Sequence, residues 1–117
     1  MIKSRSKQMI PYLLLTLLAL ALVLLIWPAN SNYGSKMDWL SQHSVFPEYF
    51  RQLFYRTGNL LPDFAPELGG GQNIYYFAYY GLLNPLFLPS YLMPSVPMTD
   101  YVAGMAVLCV TASVCLF

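Results

Sequence analysis

The sequence predicts an all-α membrane protein with two transmembrane helices joined by an extracytoplasmic loop that carries short interfacial helices. Three observations predict it. Hydrophobic residues make up 57% of the 117 residues and charged residues only 9%, whereas a soluble domain carries about a quarter charged residues. Met9–Trp27 is an unbroken uncharged run, and a helix of that length matches the ~30 Å hydrocarbon core of a bilayer. A second apolar run extends from Val102 to Phe117. The same composition excludes other classes. Disorder needs low hydrophobicity, and a net charge of +1 leaves no basic face for nucleic acid. Cys109 and Cys115 both lie in the second apolar run, so there is no disulfide framework.

Residues 1–8 form a short basic start, with Lys3, Arg5 and Lys7 and no acid. Basic residues beside a first span stay in the cytoplasm, which puts the N-terminus there. Residues 9–27 are the first transmembrane helix. Leu dominates it, Pro11 falls in its first turn, Tyr12 and Trp27 mark its ends as an aromatic belt, and Pro28 stops it. The alternative is a signal peptide cleaved near Ala29-Asn30-Ser31. The apolar run exceeds the 7–15 residues of a typical signal core, which favours an uncleaved anchor.

Residues 28–101 then form the extracytoplasmic loop. Its charge balance is −2, and it holds sixteen of the nineteen aromatic residues, which places it against the membrane. Within it, residues 44–57 read as an amphipathic helix. Phe46, Tyr49, Phe50, Leu53 and Phe54 make the apolar face, and Glu48, Arg51, Gln52 and Tyr55 occupy the other side. Ser44 is the expected N-cap, Pro47 sits in the first turn and Gly58 is the stop. Such a helix lies in the membrane interface or packs on further protein. Residues 61–73 hold two prolines and Gly69-Gly70-Gly71, which suit a flexible connector or a close backbone approach to a ligand. The spacing is not that of a nucleotide loop. Tyr75, Tyr76, Tyr79 and Tyr80 cluster at helical spacing. Pro85, Pro89 and Pro94 then break residues 82–96 into short interfacial or re-entrant turns. Residues 102–117 start the second transmembrane helix. Its Ala103, Gly104, Ala106, Ala112 and Ser113 would let another helix approach closely. A run that ends apolar at Phe117 sets the expectation of a front piece of a longer protein.

Chemistry-bearing residues are few. Asp38 is the first catalytic candidate: a carboxylate at a membrane face acts as a general base or holds a metal. Its bland reading is a loop aspartate that caps the turn beginning Asp38-Trp39-Leu40. His43 is the only histidine, which excludes a multi-histidine metal site. It suits a general base or a packed ring. Asp63 and Glu67 are candidates for an acid–base pair, in a Pro-rich stretch that does not fix their distance. Arg51 and Arg56 suit a lipid phosphate, with an ion pair to Glu48 as the bland reading of Arg51. No serine has a nucleophile-elbow context.

Asp-Trp-x-x-Gln-His at 38–43, Phe-Arg-Gln-Leu-Phe at 50–54 and Gly-Gly-Gly-Gln-Asn at 69–73 give the chain a resemblance to the start of the YfhO family of bacterial membrane proteins. Those are large polytopic proteins similar to GT-C type glycosyltransferases. The resemblance spans the first helix, the loop and the second helix, and implies the N-terminal part of a GT-C-like fold. It implies sugar transfer from a polyprenyl-phosphate donor to a cell-envelope polymer such as lipoteichoic acid, in the cell membrane of a Gram-positive bacterium. Asp38 matches the family's early acidic residue, as general base toward the acceptor hydroxyl or as ligand of a divalent cation. Gln42, Arg51, Arg56, Gly69, Gly70 and Gly71 are the substrate-binding candidates. Most of the family's membrane helices are not in this sequence, so the chain is expected to be inactive alone and to need those remaining helices as partners. The competing expectation is a small two-span protein that acts as an interaction subunit.

Overall fold

The computed structural model describes residues 2–26 and 37–116, with side chains from Met9 onward apart from Cys115. The belt position of Trp27, the stop at Pro28, the cleavage alternative at 29–31 and Phe117 lie outside the described residues. The chain is mostly helical and falls into two units, residues 1–33 with 103–117, and Gly34–Val102.

The first unit holds helix α1, Ile2–Ile26, and the greater part of helix α3, Met98–Leu116. Within α1, Met9–Ile26 has a mean hydropathy of 2.7 and is almost wholly unburied, so it is long and apolar enough to cross a membrane. The apolar stretch of α3, Met98–Val114, is shorter. Two expectations change. Because α1 begins at Ile2, Pro11 is interior and not in the first turn, and the helix continues past one missing i to i−4 bond. The second helix begins four residues before the apolar run, with Asp100 in its first turn, where a carboxylate favours the helix dipole.

The second unit is organised around helix α2, Val45–Thr57. Gly58, in the left-handed conformation at φ 68°, ends it and donates its N–H to the Phe54 carbonyl. Ahead of α2, Trp39–His43 form a π-helical turn. Ser44 does not cap α2 as expected. Its hydroxyl donates backward to the Trp39 carbonyl at 2.9 Å and closes the π turn instead.

The expected interfacial aromatic face of α2 is covered by the chain itself. Phe50 and Leu53 are buried with Ala65, Ile74 and Leu82, and Phe46, Tyr49, Phe77 and Tyr80 pack against that cluster. The covering segment is a hairpin, β1 (Phe64–Ala65) against β2 (Gln72–Asn73). A 3₁₀ segment, Ile74–Tyr80, follows it, started by the Asn73 side chain accepting from the Tyr75 N–H. The opposite flank of α2 meets the Pro-rich stretch. That stretch runs as hydrogen-bonded turns and a 3₁₀ segment, Leu88–Leu92, each backbone donor reaching back three or four residues. Three successive glycines therefore do not act as a loose connector. They form the hairpin loop, at φ 55°, 82° and 104°, a sequence of conformations that glycine adopts without a Cβ penalty.

Candidate functional site

The π turn places three of the sequence candidates together. Asp38 precedes it, exposed, and makes no cap bond to the turn, unlike the bland reading of that residue. Gln42 and His43 are its last two residues. The link between them comes from a residue distant in sequence. Tyr80 donates its hydroxyl to the Gln42 side-chain oxygen, and its ring meets the His43 ring edge-on at 5.8 Å. Phe46 stacks on Tyr80 at 4.4 Å and Tyr79 tilts against it at 4.1 Å, so the phenol is wedged. Its pKa is held above the ordinary value, first by hydrogen bonding with the Tyr79 phenol, then by burial and by the charges of Tyr79 and Asp38. Asp38 is thus close enough to act on Tyr80. The assembly is a carboxylate, an amide and an imidazole on one turn, fixed from behind by one tyrosine. π turns recur at functional sites because they re-aim side chains out of helical register.

An open cleft of about 520 Å³ runs past this turn. It is lined by Leu40 of the π turn, by Ser44, by Val45, Glu48 and Arg51 of α2, and by the Pro94–Thr99 stretch. Most of its lining is apolar, and one ion pair sits within it.

Arg51 does not occupy the solvent side of α2 where the helical pattern put it. It is 2% exposed. One nitrogen donates to the Met93 carbonyl at 3.1 Å and to Ser90 at 3.4 Å. The other donates to the Val96 carbonyl at 3.0 Å and to the Glu48 carboxylate. The expected ion pair with Glu48 is present, but the guanidinium chiefly staples the Pro-rich stretch to α2. Its fork is the reason: one planar cation reaches three carbonyls of these turns at once, two of which, Ser90 and Met93, also accept a backbone N–H. A lipid phosphate would have to displace these acceptors.

Arg56 belongs to a third place. It donates to Glu67 at 2.6 Å, and the Tyr49 hydroxyl donates to the other Glu67 oxygen, also at 2.6 Å. Arg56 and then Tyr49 hold the Glu67 carboxyl down at about 2. The Tyr49 phenol is pushed up to about 12 by burial first and by Glu67 second. Glu67 is therefore a carboxylate at neutral pH, and the acid–base pairing with Asp63 gives way to this ion pair. Gly69, Gly70 and Gly71 follow Glu67 after Leu68 in the hairpin loop.

Sequence reasoning missed Tyr80 as the residue that fixes the Asp38 turn. Its only signal was membership of the tyrosine cluster. Among the described residues no three His, Cys, Asp or Glu side chains converge as a metal site. Comparison with family models, with curated proteins and with solved structures finds no match to this chain.

Proposed function

We propose that this chain is the first membrane helix, first extracytoplasmic loop and start of the second helix of a polytopic glycosyltransferase of the GT-C-like type. In this reading Asp38 is the acidic residue that serves the acceptor hydroxyl. The observation that carries it is the Asp38 turn itself. An exposed carboxylate stands a few residues from Gln42 and His43, both fixed by Tyr80, and Leu40 of the same turn lines a largely apolar cleft. The donor would be a sugar on a polyprenyl phosphate and the acceptor a cell-envelope polymer such as lipoteichoic acid. The protein would sit in the cell membrane with its N-terminus in the cytoplasm. Asp38 would take the proton of the attacking hydroxyl or hold a divalent cation, Gln42 would orient the acceptor, and Tyr80 would be a positioning residue.

The test is transfer of labelled sugar in membranes that carry the protein as its native locus encodes it. Asp38→Asn is expected to lower transfer by about 10²–10⁴-fold, the range of general acid–base catalysis, while the protein level in the membrane stays constant. Transfer at the wild-type rate removes the site. Reading the locus past codon 117 is the companion measurement. An open frame in phase supports the transferase. A stop codon, with the short protein detected in membranes, refutes it for this chain.

One observation favours a second reading, an interaction subunit. Thr16 and Leu20 of α1 and Gly104, Val107, Thr111 and Ala112 of α3 line an open apolar cleft of about 420 Å³. A Cβ added at Gly104 would meet nothing within 4 Å. Small residues beside open space are where a further membrane helix seats. A specific helix cross-linked at position 104 in native membranes would favour this reading.

A further inference from the structure

We infer that the charge-free stretch Leu68–Thr99 seats on the headgroup–acyl boundary of a lipid bilayer, with Tyr76 and Tyr79 as its aromatic anchor. The inference rests on the reading of α1 as a membrane span, and its test separates the two.

The 3₁₀ segment Ile74–Tyr80 has three residues per turn, so positions three apart eclipse. Ile74, Phe77 and Tyr80 line the inner side and pack on the core around α2. Tyr76 and Tyr79 form the outer ridge, 72% and 76% exposed. Nothing between Leu68 and Thr99 is charged, although Leu83, Leu86, Leu92 and Met93 are also exposed and Leu92 is nearly bare. The charged side chains described in this unit lie outside that stretch. Surface exposed to water draws charged residues. A ridge of tyrosines with leucines and no charge matches the membrane boundary, where a ring is buried and its hydroxyl stays wet.

Leu83 supplies an independent observation. It holds φ 61°, the one described non-glycine residue at positive φ. Glycine or asparagine would sit there with less strain. A leucine that is both strained and exposed gains from its side chain only when something outside the chain covers it.

The stretch is also continuous with an apolar helix. The Tyr101 hydroxyl, in the first turns of α3, donates to the Leu86 carbonyl at 2.7 Å. Arg51 holds the Met93 and Val96 carbonyls. Beyond Asp100, α3 carries no charge. The exposed leucines are therefore tied to the root of a helix suited to lipid, which selects a bilayer over a charged or soluble partner.

The experiment uses the full chain in phosphatidylglycerol–phosphatidylethanolamine vesicles, in a Trp27→Phe, Trp39→Phe background. Tyr79→Trp and Tyr76→Trp are reporters of the ridge, and Leu18→Trp reports α1. The ridge reporters are expected to emit blue-shifted light and to be quenched most by lipids brominated near the headgroup end of the acyl chain, with little quenching by aqueous acrylamide. The Leu18→Trp reporter should be quenched best by deep bromines. Ridge reporters quenched only by acrylamide, with the α1 reporter still quenched by lipid, overturn the inference and leave the span intact. Ridge reporters shielded from both quenchers indicate a protein cover and also overturn it. Acrylamide quenching at all three positions overturns the membrane reading as well.

Discussion

Replacing Arg51 with methionine keeps the volume of the side chain and removes its fork. Arg51 reaches the carbonyls of Ser90, Met93 and Val96, and Glu48. Breaking a buried, hydrogen-bonded charge pair costs about 3–5 kcal/mol. The structure puts this case at the lower end. Glu48 is 32% exposed on its side chain and keeps its bond to Gln52, so water can restore its solvation. The Met93 and Val96 residues are partly exposed, so water can reach them, while the Ser90 contact is long at 3.4 Å. About 3 kcal/mol follows, roughly two powers of ten in an equilibrium constant. The loss should appear locally, as release of the Leu88–Val96 stretch from α2. Native-state cleavage by chymotrypsin at Tyr91 and Leu92 reports the open population when closing outruns cleavage. Arg51→Met is expected to raise that cleavage about a hundredfold, by the same conversion. Arg51→Lys should fall between, because one ammonium keeps Glu48 but cannot span the carbonyls. Cleavage unchanged in Arg51→Met would refute the stapling role. A variant that keeps its protection but no longer retains anionic lipid would restore the phosphate-binding role instead.

Two further predictions follow from the hairpin side of α2. Glu67 is depressed to about 2 by Arg56 and Tyr49, so the stability it contributes is complete above the ordinary carboxyl value and is lost as pH falls through that value toward 2. A thermal melt series between those limits should show this loss in the wild type and not in Glu67→Gln, and equal slopes would refute it. The same substitution should bring the Tyr49 phenol down from about 12, read by ultraviolet titration. In the hairpin loop, Gly71→Ala puts a side chain at φ 104° and its Cβ 2.6 Å from the Phe64 ring. Its expected cost is about 1–3 kcal/mol in denaturant unfolding, mostly backbone strain because the exposed ring can turn aside. Gly70→Ala, with nothing within 4 Å, should cost less, and the reverse order would contradict the φ assignment.

Part of the candidate site could be read directly. Asp38, Gln42 and His43 fall within six residues, and any turn there brings them near one another. That the turn is π-helical and that Ser44 closes it depend on the Trp39 carbonyl accepting both the backbone N–H and the hydroxyl of Ser44, which no residue preference announces. Tyr80 lies thirty-eight residues from Gln42, and its part in the site depends on how the hairpin folds back over α2. Arg51 shows the same limit. A helical wheel places it beside Glu48 and Gln52 on the polar side, yet both flanks of α2 are covered. The second cover is a Pro-rich stretch whose turns present three carbonyls to one guanidinium.

The sequence by itself determined the features that depend on neighbours along the chain. The apolar length of α1, the span of α2 between Ser44 and Gly58, and the breaking of residues 82–96 into turns by proline follow from periodicity, from a left-handed stop and from missing N–H groups. Only the tertiary structure decided what covers the aromatic face of α2, that Arg51 is buried, that Glu67 pairs with Arg56, and which tyrosines face outward. Those outcomes are set by contacts between segments far apart in sequence, where a buried face gains the same hydrophobic free energy from any well-fitting apolar surface. The surface that fits best is selected only when the hairpin, the 3₁₀ segment and the Pro-rich turns close on α2 together.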